Sequence, residues 1–409
     1  MLNAIWSAFF IVAAVAALFR WLVGGDAGVF AAMVESLFAM AKLSVDLTLI
    51  MFGTLTLWLG FLEIAKAAGL VETLARWLSP LFARLMPGVP RGHPALGLIT
   101  LNFAANGIGL DNAATPIGLQ AMRELQSLNR QPDTATDAQI LFLTLNASSL
   151  TLLPVSIFVY RVQQGAPDPT LVFLPILLAT SASTLAALLS VALMQRLRLH
   201  DPVVLAWLGG VALVIGGLMA VLASLSGAAL AAFSSLLGNL ALVATVLLFV
   251  IAGLVRRVPV YECFITGAKQ GFGVARDILP YLVAMLCAIG MLRASGALEA
   301  ALAGIRSLVA LLGMDARFVD ALPTALVKPF SGSAARAMLI ESMQTFGVDS
   351  FPALVAATVQ GSTETTFYVL AVYFGSVGIQ RARHAVGCAL LADFAGVCAA
   401  IAVCYWFFG

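Results

Sequence analysis

Long apolar runs separated by short polar punctuation recur along the chain, at 3–23, 44–62, 138–160, 170–194, 203–223, 231–255, 278–292 and 385–408. Most approach the ~20 residues an α-helix needs to cross the hydrocarbon core of a bilayer. The alternating segments of about ten residues that mark a transmembrane β-barrel do not occur. The pattern therefore predicts an all-α polytopic membrane protein. Two stretches, "VESLFAMAKLSV" (34–45) and "YECFITGAKQGFGVARDI" (261–278), are amphipathic instead. They are expected to lie along the membrane interface as arms.

Composition agrees. The 409 residues are 61% hydrophobic and 10% charged, against about 25% charged in a soluble domain, and the mean hydropathy is +1.02. A net charge of +2 gives no case for nucleic-acid binding. The first apolar run has neither a basic leader nor an Ala-x-Ala-like site close behind it, so it reads as a retained span. Cys263, Cys287, Cys388, Cys398 and Cys404 lack metal-ligand spacing and read as small core hydrophobes. No metal or other cofactor is expected.

The chain repeats itself in order. The segment 58–85 resembles 288–313, with Gly69, Leu70 and Glu72 matching Gly296, Ala297 and Glu299. Likewise 112–122 resembles 331–338, 145–162 resembles 359–376 with Ser148 opposite Ser362, and 177–193 resembles 390–404. This predicts a first unit at 1–200, a linking transmembrane hairpin at 201–257 and a second unit at 258–409. The loop "RVQQGAPDP" (161–169) is nearly neutral, whereas its counterpart "QRARH" (380–384) is basic. Because Lys and Arg favour the cytoplasmic side, equivalent loops are expected on opposite faces, as in an inverted-topology repeat. Arg20, near the expected outer end of the first helix, runs against that rule.

Both units contain interrupted helices. "LITLNFAANGIGLDNAATPIGLQAM" (98–122) is rich in Asn, Gly and Pro, and "LPTALVKPFSGSAARAM" (322–338) breaks at Lys328-Pro329 and Ser331-Gly332-Ser333. Non-helical backbone at membrane depth survives only inside protein or beside a water-filled cavity. Corresponding broken segments in two halves point to a transporter's binding site.

These residues also carry a family resemblance. "LNFAANGIGLDNAATPIGLQAMRELQSLN" followed by "LNASSLTLLP" resembles spore maturation protein A. "KPFSGSAARAM", "GSTETTFYVLAVYFGSVGIQRARHA" and "LLADFAGV" resemble spore maturation protein B. Fused head to tail, the two cover nearly the whole chain. The resemblance places it in the nucleoside recognition, or Gate-domain, group, related to concentrative nucleoside transporters and to the Gate regions of the ferrous iron transporter B protein. It implies a multi-pass protein of the bacterial inner membrane with a transporter-like fold, and leaves the substrate open.

The candidate residues fall into two sets. In the second unit they are Lys328, Ser331, Ser333, Ser362, Thr363, Glu364, Thr365 and Asp393. An intramembrane carboxylate is a functional candidate by default because its burial is expensive. Glu364 could sit at a buried helix start capped by Ser362 or Thr363, which is an anion site in itself. Among hydroxyls it could equally ligate Na⁺ or carry a proton. Lys328 is either a snorkelling cation or the partner of Glu364 or of a substrate carboxylate. The first unit offers a neutral set, Asn102, Asn106, Asn112, Thr115, Asn146, Ser148 and Ser149, suited to a zwitterion or nucleoside-like solute, or to satisfying broken backbone.

The expected function is an elevator-like secondary active transporter of a small polar or anionic metabolite, with the site between the units. The alternatives are a non-transporting scaffold for cell-envelope or spore cortex maturation, and an intramembrane hydrolase using Glu364 and Asp393. The hydrolase reading is weakened by the lack of a Ser-His, Cys-His or metal set. Expected partners are the substrate and the lipid bilayer, with a homo-oligomer, dimer or trimer, left open.

Overall fold

A computed structural model describes residues 2–107, 111–148 and 150–409. The chain runs through α1 (Leu2–Gly24), α2 (Gly28–Ala67), α3 (Leu70–Leu85), α4 (Pro94–Gly107), α5 (Asp111–Ser127), α6 (Asp137–Ser148), α7 (Val155–Gln163) and α8 (Phe173–Gln195). It continues through α9 (Pro202–Ala223), α10 (Gly227–Val255), α11 (Val260–Ala294), α12 (Ala297–Leu311), α13 (Leu322–Val327), α14 (Gly332–Phe346), α15 (Phe351–Ser362), α16 (Thr366–Gly375) and α17 (Ala385–Phe408). Among the described residues seven helices are long and apolar enough to cross a membrane. This is a multi-pass, all-α membrane protein. Large apolar side chains such as Leu22, Leu213 and Val255 stand exposed, as surfaces bathed in lipid require.

The order of elements from α2 to α8 recurs from α11 to α17: a long helix, a shorter one, two interrupted pairs and a final long helix. The joint between the first two is the same in both halves. Gly69 (φ 70°) precedes α3 and Gly296 (φ 80°) precedes α12, a left-handed backbone that glycine adopts without a Cβ clash.

The long helices of the two halves pack against each other and run antiparallel. Along the α2–α11 contact, Gly267 faces Leu59 whereas Gly290 faces Ser36 and Met40. At Gly267 a Cβ would collide with the Leu59 carbonyl oxygen, and at Gly271 it would lie 2.7 Å from that of Leu55. Glycines four apart let the two backbones touch, the small-residue solution to helix packing in lipid. The final helices also run antiparallel. Ser183 Oγ of α8 donates to Ala392 O at 3.0 Å, and Gln195 meets His384, just before α17, at 3.1 Å. Burial, reinforced by Arg383 and opposed by Asp137, lowers the pKa of His384, favouring the neutral ring that accepts from Gln195.

Three local expectations need correction. The segments 34–45 and 261–278 are not separate interfacial arms. They continue into the apolar segments that follow, giving helices of 40 and 35 residues, because each long helix buries its face against the other. The segment 138–160 is not one span. It breaks between Ser148 and Val155, where Pro154 supplies no amide hydrogen and disfavours helix at Leu153. In the second unit the helix after the break begins at Thr366, so neither Ser362 nor Thr363 caps it. Its N-cap, Thr365, makes no side-chain cap bond.

Candidate functional site

Each half contains a helix pair interrupted deep in the protein, and the two interruptions touch. Helix α15 ends at Ser362 and α16 starts at Thr366, leaving Thr363 (φ −143°, ψ 164°) to Thr365 (φ −86°, ψ 92°) extended. The freed backbone groups find partners across the molecule. The Glu364 amide donates to Ala147 O, next to the end of α6, at 2.9 Å, and the Phe367 amide to Pro329 O at 2.9 Å. The peptide that closes one unit's gap thus bonds the other unit's half-helix.

The two interruptions share their chemistry. Ser148 and Ser362 are the last residues of α6 and α15, fully buried, and each hydroxyl bends back to the carbonyl three residues earlier, at 2.9 and 3.0 Å. That bond satisfies an orphan carbonyl of a helix end. A polar residue in the final long helix meets the segment beyond each break. In the first half Thr180 Oγ1 lies 3.5 Å from the Thr151 amide. In the second half Asp393 Oδ2 accepts from Thr366 Oγ1 at 2.7 Å.

Lys328 sits at the gap between α13 and α14, 4% exposed. Its ammonium donates to Gln360 O at 3.0 Å. Gln360 lies in the last turn of α15, where carbonyls lack intrahelical partners and the helix dipole favours a cation. Lys328 therefore serves a half-helix C-terminus. It and Glu364 both lie within electrostatic reach of Asp393. Ser331 caps α14, its Oγ accepting from the Ala334 amide at 3.1 Å. Thr365 packs against Gly332, where a Cβ would come within 2.7 Å of its Oγ1. Ser333 is half-buried on the same turn.

In the first half Asn106 donates to Asn146 Oδ1 at 3.1 Å, tying α4 to α6. Asn102, fully buried, donates to Ala114 O at 2.8 Å and so closes the α4–α5 interruption. Tyr373 of α16 hydrogen-bonds Asn102, which the sequence did not single out because Tyr373 lies in an apolar run. Thr115 is half-buried on α5. Ser149 and the Asn112 side chain lie outside the described residues. The structure thus links Asn106 with Asn146, Thr366 with Asp393, and Lys328 with the α15 end that leads into Glu364.

Among the described residues, several buried polar atoms on these helices have no protein partner: Asn102 Oδ1, Gln360 Oε1, Thr363 Oγ1 and Asp393 Oδ1. Each unsatisfied group costs about 1–3 kcal/mol. A solute or ion offering donors or positive charge would remove that cost.

A second missed residue is Arg161. Fully buried, it donates to Pro169 O, Val348 O and Asp168 O at 3.0–3.1 Å and to Asp349 Oδ1 at 2.7 Å. It clamps the α7–α8 linker onto the α14–α15 loop. At the other end of the molecule the α5–α6 loop meets the α16–α17 loop, where the Ala135 amide donates to Arg381 O at 3.0 Å.

Comparison with known proteins agrees with this architecture. The nucleoside recognition (Gate) family matches residues 48–162 and 275–380, one stretch in each half and more than half of the chain together. Spore maturation protein B of Bacillus subtilis (strain 168) is 42% identical over 168 residues, 41% of this chain and 91% of that relative. Spore maturation protein A of the same organism is 36% identical over 155 residues, 38% of this chain and 79% of that relative. The chain belongs to the spore maturation protein A and B family of Gate proteins, with both parts fused in one polypeptide. No solved structure matches it.

Proposed function

We propose that the protein is a secondary active transporter of a small polar solute, with its site where the two interrupted pairs cross. The single observation that carries this reading is the Glu364–Ala147 crossing, with buried polar atoms on the same interrupted helices that have no partner among the described residues. The charge count favours a donor-rich neutral, zwitterionic or cationic solute over an anion. One ammonium, Lys328, stands against two carboxylates, Glu364 and Asp393. The names of the family and its relatives fit a nucleoside-like solute, and the carboxylates suit Na⁺ or H⁺ as the coupling ion. The membrane is proposed to be the bacterial inner membrane.

The inverted-topology reading is supported by two pairings. The α7–α8 linker meets the α14–α15 loop, and the α5–α6 loop meets the α16–α17 loop. If the halves are copies, each loop meets the non-equivalent loop of the other copy, so equivalent loops sit at opposite ends. Antiparallel α2–α11 and α8–α17 contacts agree. The basic end, with Arg130, Arg196, Arg381 and Arg383, would then face the cytoplasm.

The relatives' names equally favour a second reading, a scaffold in envelope or spore maturation that moves no solute. A thermal-shift panel of nucleosides, amino acids and organic acids on the purified protein, with and without Na⁺, tests the first. Stabilisation by a donor-rich solute is expected. No shift from any member in either salt would leave the scaffold reading.

A further inference from the structure

At the basic end, away from the crossing, six arginines converge on one cavity of about 1030 Å³. Arg84 lies in the last turn of α3, Arg91 lies before α4, Arg130 follows α5, Arg196 and Arg198 follow α8, and Arg383 precedes α17. Two carboxylates share the cavity: Asp201 lies 3.4 Å from Arg84, and Asp137 lies 2.8 Å from Arg383. Arg91, Arg130, Arg196 and Arg198 have no carboxylate within ion-pair distance among the described residues. Four of the lining arginines therefore have no carboxylate partner of their own. Positive-inside topology asks only for basic residues in cytoplasmic loops. It does not ask that loops from both halves aim them into one concavity.

The backbone adds an independent observation. Among the described residues three non-glycine positions have positive φ, and two of them, Arg196 (φ 53°) and Arg383 (φ 51°), line this cavity. Arg196 is the left-handed C-cap of α8, a position glycine usually takes, and the left-handed region is disfavoured for residues with a Cβ. Glycine would fit both positions without strain, yet arginine occupies them.

We propose that this cavity binds a phosphate-bearing polyanion, at a site separate from the crossing. All six cations are arginine, whose planar fork matches phosphate oxygens in a way a lysine ammonium does not. The volume reaches the upper end of the roughly 300–1,000 Å³ of ligand pockets, enough for a nucleotide-sized anion or a phospholipid headgroup. An occupant would join Arg130 and Arg196 of the first half to Arg383 of the second, holding the α5–α6 and α16–α17 loops together. Two sources fit this chemistry, a soluble polyphosphate and an anionic lipid.

The experiment uses the full-length protein, with pyrophosphate titrated into detergent-solubilised protein and cardiolipin or phosphatidylcholine supplied in nanodiscs for native mass spectrometry. The variant is Arg196→Gly with Arg198→Gln. It removes two unpaired guanidinium groups and relieves the left-handed strain, so thermal stability should hold or rise. The control is Arg306→Gln with Arg317→Gln, outside the cavity. We expect saturable pyrophosphate binding, or selective cardiolipin retention, to weaken at least tenfold in the cavity variant and to persist in the control. Pyrophosphate binding identifies the soluble source, and cardiolipin retention alone identifies the lipid. Absence of both in the wild type, or equal binding by the cavity variant, overturns the proposal. If the variant fails to fold, Arg130→Gln, in the loop after α5, decides by the same criteria.

Discussion

The amide of Glu364 donates to the carbonyl oxygen of Ala147 at 2.9 Å, joining the gap of the second half to the end of a half-helix in the first. The bond between the halves is made by the backbone, and the Glu364 carboxylate accepts from the neighbouring Thr365 amide at 3.3 Å, a role a glutamine Oε1 can also fill. Glu364→Gln keeps that amide and the side chain's shape. We expect near-normal folded yield by size-exclusion chromatography, with loss of at least tenfold in solute binding by calorimetry. Unchanged binding would remove the carboxylate from the site, and failure to fold would make its role structural.

Asp393 and Thr366 form the other decisive contact, with one carboxylate oxygen bonded at 2.7 Å and the other without a partner among the described residues. Thr366→Val deprives the bonded oxygen of its donor and should destabilise by about 1–3 kcal/mol, the cost of an orphaned buried polar group. Asp393→Asn removes the charge and should melt at or above the wild-type temperature while losing ion dependence of binding. Equal destabilisation in the two variants would mean that the charge has no separate function. The cycle with Lys328→Met then measures whether ammonium and carboxylate are coupled.

Arg161 tests the opposite end. Breaking a buried ion pair costs about 3–5 kcal/mol, reduced here because Asp349 is 42% exposed. Arg161→Met should therefore destabilise by roughly 2–3 kcal/mol. Arg161→Lys should recover only part of this, since an ammonium cannot span three carbonyls and a carboxylate with a planar fork. Differential scanning fluorimetry in detergent reads both variants. A lysine variant as stable as wild type would show that charge alone suffices.

Much of this was legible in the sequence, for physical reasons. The Lys328-Pro329 and Ser331-Gly332-Ser333 punctuation marks the α13–α14 gap because proline and a capping serine act locally. The match of Gly69 with Gly296 survives because only glycine is free of strain at both joints. The break after Ser148 was hidden, because its hydroxyls are interleaved with leucines that keep the segment apolar on average, and Pro154 lies six residues on. The depth of Arg161 was also hidden. In the sequence it is one basic residue near a loop, and its burial depends on Val348 and Asp349, far away along the chain. The arms were misread because amphipathicity records a buried face without saying whether lipid or another helix covers it.

Topology has its own test. In a Cys-less background, single cysteines at positions 165 and 382 should label from opposite sides, with 382 reached from the cytoplasm. The two positions belong to loops that meet different ends of the molecule. Labelling of both from one side would contradict the inverted arrangement.

The central claim is that a solute crosses the membrane at the Glu364–Ala147 crossing. Uptake into proteoliposomes measures it most directly, using a labelled pool of nucleosides, amino acids and organic acids under a Na⁺ gradient, a proton gradient or neither. The account predicts gradient-dependent uptake of at least one donor-rich solute by the wild type, and its loss in Glu364→Gln and Asp393→Asn protein that remains folded. Wild-type protein that moves nothing under any gradient, or both variants transporting at the wild-type rate, would contradict it.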